Sequence, residues 1–168
     1  MDLSRRALFF GGSTLAVTGP PPKAAARRPR PTTMAIFDEG FQNGWSNVDW
    51  ATVTQPVPFD GHTTLKVEGG PWSALALYHA ALSMADFSKL TFMVNGGDGG
   101  GFTVWLRSFR DGRAIDCDFE VKPVANSWTQ IEAPLAALRI DGQMIDSFVL
   151  QAPDITYRPY YVAKVQLE

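Results

Sequence analysis

Asp116, Asp118 and Glu120 stand two residues apart in a stretch, 114–121, whose intervening residues Ile115, Cys117, Phe119 and Val121 are apolar. Strict alternation has the period of a β-strand, so the acids share one face and the apolar residues the other. Residues two apart on a strand lie ~6.5–7 Å apart at Cα, which suits paired carboxylates working on a glycosidic bond. Asp118 and Glu120 are therefore candidates for a small glycoside hydrolase or lyase. The same row would equally hydrogen-bond the hydroxyls of a sugar without reacting with it.

The preceding stretch, 102–109, alternates too. Phe102, Val104 and Leu106 take the core side, while Thr103, Trp105, Arg107 and Phe109 take the other. Asp111 and Gly112 supply the turn of a hairpin that sets Trp105, Arg107 and Phe109 beside the three acids. A plainly solvated face would carry Thr, Lys, Glu and Ser. Aromatic rings next to carboxylates and a guanidinium match a sugar, which has apolar C–H faces and a polar rim. The plainer alternative is that a loop covers Trp105 and Phe109 and that Arg107 pairs with Asp116 or Asp118.

Alternation extends the face to other stretches. In 74–79, Leu75 and Leu77 point inward, leaving Ala76 and Tyr78 outside; in 146–151, Phe148 and Leu150 point inward, leaving Val149 and Gln151 outside. The expected ligand-binding set is Trp105 and Phe109 for stacking and Arg107, Asp116, Asp118 and Gln151 for hydroxyls, with Tyr78 beside them. Trp45, Trp50 and Trp72 lie near turns, each as well suited to plugging the core as to forming a rim platform. Tyr157 and Tyr160 flank Pro159 in an expected loop at one end of the site.

Other chemistries find little support. His62 and His79 have no partner at metal-ligand spacing, and no Ser sits in a nucleophile elbow. Cys117 falls on a core face and reads as an inert thiol. The glycines at 96, 97, 99, 100 and 101 have no helix behind them, so they read as a flexible hairpin rather than a phosphate cradle.

The elements that must carry these residues are short strands. Beyond those above, 35–40, 50–54, 63–68, 89–95, 128–133 and 160–167 alternate between Gly, Pro, Asn and Asp punctuation, and only 134–138 looks like a helical turn. About ten strands at this spacing mean an all-β, two-sheet antiparallel sandwich or jelly roll. The 168 residues suffice for one domain with a core, and 45% apolar content fits a globular chain. A net charge of −2 gives no field to draw nucleic acid, and the lone cysteine excludes an internal disulfide. No apolar run is long enough to span a membrane.

Residues 1–34 differ in composition from the rest. Arg5 and Arg6 directly precede an apolar stretch, 7–17, and Ala24, Ala25 and Ala26 offer a cleavage site. This resembles a Tat-type export signal over 1–26, followed by a basic, Pro-rich linker over 27–34 and the domain proper over 35–168. A secreted or periplasmic, monomeric protein is expected.

The body, 36–168, resembles the galactose-binding-like jelly rolls that serve as carbohydrate-binding modules in secreted bacterial proteins. The resemblance rests on Asn43, Gly44 and Trp45; on 70–75 and 90–97; on Trp128 with 134–138; and on the closing 160–165. It implies a sandwich that binds a polysaccharide and does no chemistry. It also implies a structural Ca²⁺ between the first and last strands, with Asp38 and Glu39 as ligands, although Ala163 stands where the last strand usually offers an Asp. Acidic-row catalysis resembles jelly-roll glucanases less closely, since their pattern starts and ends in Glu and sits in a longer chain. A cell-surface adhesion or assembly module is the third reading.

Overall fold

The computed structural model describes residues 33–115, 117 and 119–168; the export-signal reading, Asp116 and Asp118 lie outside them. Twelve strands form in chain order: β1 (Met34–Phe37), β2 (Ser46–Asn47), β3 (Thr52–Phe59), β4 (His62–Glu68), β5 (Ala74–Ser83), β6 (Lys89–Asn95), β7 (Val104–Arg110), β8 (Arg113–Ala114), β9 (Phe119–Val121), β10 (Trp128–Pro134), β11 (Met144–Gln151) and β12 (Tyr160–Leu167). They make two antiparallel sheets of six strands each. The first runs β10-β6-β12-β4-β3, with β1 on β12; the second runs β2-β5-β11-β7-β8, with β9 on β7. The fold is the expected jelly-roll sandwich.

Alternation works because each sheet has one face against the other. Leu90, Phe92 and Val94 of β6 meet Leu106 of β7 and Phe148 and Leu150 of β11 in one buried cluster. Cys117 is buried as well. β3 runs to Phe59, past the expected end at residue 54, although it contains Pro56 and Pro58. It lies at the edge of its sheet and its register shifts between Thr54 and Val57, which is where a strand tolerates proline.

Three expectations are corrected. The single strand expected over 114–121 is broken into β8 and β9. Tyr157 and Tyr160 do not line the site: both are buried, with Tyr157 sharing a 2.7 Å hydrogen bond with Ser73 Oγ. The Gly-rich segment 96–101 is not a free hairpin. The amides of Gly96 and Gly101 donate to the carbonyls of Val124 and Pro123. A Cβ on Gly100, whose φ is +74°, would come within 2.5 Å of the Ala125 nitrogen. Glycine is needed there because two backbones touch.

Candidate functional site

Sheet register assembles the outer face of the second sheet row by row. Tyr78 on β5 opposes Ser147 on β11, which opposes Phe109 on β7. The next row is Ala76, Val149 and Arg107, and the next is Ala74, Gln151 and Trp105, with Glu120 of β9 beyond Trp105. The structure thus brings Trp105, Arg107, Phe109, Gln151 and Tyr78 onto one surface. Arg107 Nη1 donates to Gln151 Oε1 at 2.8 Å, and Gln151 Nε2 donates to the Trp72 carbonyl at 3.4 Å. Glu120 is exposed and ion-paired with Lys122 at 3.2 Å.

This face has its own apolar floor. Val149 points outward as expected, yet only 2% of it is exposed, because Ala74, Ala76 and Phe109 pack around it. Above the floor runs a groove of about 290 Å³, lined by Val48, Trp50, Tyr78, Phe109, Ser147 and Asp146 among others. Trp50 is 64% exposed and Tyr78 43%. Large rings left in water beside a dry floor form a surface suited to the flat, apolar side of a ligand.

Two site residues escaped assignment from sequence: Trp50 and Trp72. Trp50 is placed by the segment before β3, which is stitched to the edge of β5. The amides of Val48 and Trp50 donate to the carbonyls of Ala76 and Ala74 at 3.0 Å each. Asp49 Oδ1 accepts from the Ala76 amide at 2.9 Å, and Asp49 Oδ2 accepts from Asn47 Nδ2. Gln55 Nε2 in turn donates to Asn47 Oδ1 at 2.7 Å. Burial pushes the Asp49 carboxyl up, against the downward pull of these hydrogen bonds.

Trp72 is 52% exposed and has a left-handed backbone, φ +61°, rare for a bulky residue. Its amide donates to the Pro153 carbonyl at 3.1 Å and its carbonyl is the Gln151 acceptor described above. Ser73 closes the turn, its amide and Oγ both donating to Gly70 O. Trp45, by contrast, is buried, packed on Phe148 and His79.

Asp38 and Glu39 are exposed in the bend after β1. Among the described residues no group of three or more His, Cys, Asp or Glu side chains converges.

No protein-family model matches the sequence, and no curated protein matches it. Solved structures do. A variant of CBM29-2, a family 29 carbohydrate-binding module, superposes with a TM-score of 0.62 at 14% identity, over 82% of this chain and 91% of that one. A CBM29-2 variant complexed with mannohexaose gives 0.59 at 16% identity, over 81% and 90%. One complexed with cellulohexaose gives 0.59 at 16%, over 81% and 89%. The likeness is one of fold: this chain is a β-sandwich of the kind carbohydrate-binding modules use.

Proposed function

We propose that this protein is a non-catalytic carbohydrate-binding module that holds an oligosaccharide or polysaccharide on the outer face of its second sheet. The observation that carries the reading is the groove in which Trp50, Tyr78 and Phe109 stand over a dry floor, beside the linked Arg107–Gln151 pair. The rings take the C–H faces of sugar units, and the guanidinium and amide take hydroxyls in pairs. Trp72 and Trp105, on either side of Gln151, extend the platform, and Asp116 and Asp118 belong to the same expected set. Modules of similar fold complexed with mannohexaose and with cellulohexaose support the choice of an oligosaccharide as the ligand class.

The resemblance of residues 1–26 to a Tat-type export signal supports the reading of a secreted or periplasmic protein, and the proposal takes it as a monomer. Affinity electrophoresis over soluble glucans, mannans and glucomannans tests the reading. At least one polysaccharide should retard the wild type, and Trp50→Ala should migrate freely on it. Migration unaffected by every polysaccharide would refute the proposal. Incubating the retained polysaccharide with the protein should release no reducing ends; release that disappears in Glu120→Gln would instead identify an enzyme.

A further inference from the structure

The outer face of the first sheet is not used by that reading, yet it carries a groove of its own. Thr91 and Met93 of β6, Gln130 of β10, and Lys164 and Gln166 of β12 enclose about 280 Å³. An aromatic row runs alongside. Trp128 opposes Asn95, which opposes Tyr161, one row over from Gln130, Met93 and Ala163. The tip of the β3–β4 hairpin fixes this row: Phe59 stacks on Tyr161 at 3.6 Å between ring centres, and His62 meets Trp128 edge-on at 4.8 Å. Trp128 Nε1 also donates to the Asp60 carbonyl at 3.3 Å.

Lys164 sets the chemistry. Between the pairs Ala163–Met93 and Gln166–Thr91, β12 has one residue more than β6, and this bulge gives Lys164 a φ of +50°. A left-handed backbone at a non-glycine residue persists only where its surroundings hold it, and such positions cluster at ligand sites. Here it delivers an exposed ammonium into the groove. The acids on either side share one cation, Lys89, at 3.1 Å from Glu132 and 3.3 Å from Glu168, and Glu168 also accepts from Thr91 Oγ1 at 3.2 Å. Lys164 itself makes no ion pair among the described residues. Beside it, Gln166 Nε2 donates to Glu168 Oε1 at 2.6 Å and Gln130 Nε2 to Glu132 Oε1 at 3.4 Å, which turns each side chain's Oε1 toward the role of accepting from a sugar hydroxyl.

We infer that this groove is a second saccharide site, built for a sugar unit that carries a carboxylate. Lys164 receives the carboxylate, Gln130 Oε1 and Gln166 Oε1 accept from hydroxyls, and Met93 supplies the apolar contact. The site lies on the opposite side of the sandwich from the neutral-glycan face, so one protein could hold two strands of different composition.

Titrating ¹⁵N-labelled protein with galacturonate and, separately, with galactose tests this. Galacturonate should shift the amides of Met93, Gln130 and Lys164, with galactose acting several-fold more weakly. Lys164→Gly keeps the left-handed backbone but removes the charge, and should weaken galacturonate binding about tenfold or more, as expected for a charge-assisted hydrogen bond. Lys164→Arg should retain it. The Trp50→Ala/Tyr78→Ala double variant should bind galacturonate as the wild type does, which separates failure here from failure of the neutral-glycan reading. Shifts confined to the second sheet, no shifts, wild-type binding by Lys164→Gly, or equal shifts with acetate would each overturn the inference.

Discussion

The two outer faces of the sandwich use similar residues to different ends. On the first sheet the aromatic side chains are packed against one another: Phe59 on Tyr161, His62 and Phe59 on Trp128. The rest of that face is polar, with Lys89 held by Glu132 and Glu168. On the second sheet the rings of Trp50, Trp72 and Tyr78 stay in water, and the sheet beneath them is apolar where it would ordinarily be solvated. Aromatic content therefore does not define a platform. What matters is whether the rings' surfaces are consumed inside the protein or left for a ligand, and whether charge nearby is already neutralised.

That contrast can be broken by mutation. Removing two rings from the second face, Trp50→Ala with Tyr78→Ala, should cost neutral-glycan affinity ~100-fold or more, since each anchoring side chain contributes at least ~2 kcal/mol. Calorimetric titration with the polysaccharide retained in electrophoresis measures it, and a loss below tenfold would mean the platform lies elsewhere. Arg107→Ala should cost about tenfold on the same ligand, because a charge-assisted hydrogen bond is lost and Gln151 is released from its partner.

Asp49→Ala leaves every ring in place but unpins the segment that carries Trp50. Its effect should be several-fold, appearing mainly as faster dissociation in surface plasmon resonance. Wild-type dissociation would show that the backbone bonds of Val48 and Trp50 suffice to hold the segment. The smallest effect belongs to the first face. Glu132→Ala removes one exposed ion pair and should leave the urea-unfolding midpoint close to that of the wild type, with neutral-glycan binding unchanged.

Much of this architecture is legible in the sequence, for a local reason. The alternation of Phe102, Val104 and Leu106 with Trp105, Arg107 and Phe109 depends only on the two-residue period of a strand, and the structure buries the first set while setting the second on the outer face. The same holds for Leu75, Leu77, Phe148 and Leu150. What could not be read depends on distant partners. Trp50 is exposed because Asp49 reaches the Ala76 amide, 27 residues along the chain. Trp72 is exposed because Pro153 and Gln151 hold its turn. The glycines of 96–101 carry a signal that is ambiguous by itself, since freedom and close approach both call for glycine. Only the segment 123–126 lying against them decides for close approach.

The central claim is that neutral glycan binds the second sheet's face and not the first's. Calorimetric titration of mannohexaose into the wild type, Trp50→Ala and Trp128→Ala tests it most directly. The account predicts a loss of about tenfold or more for Trp50→Ala and wild-type affinity for Trp128→Ala. Wild-type affinity in Trp50→Ala together with a loss in Trp128→Ala would contradict it.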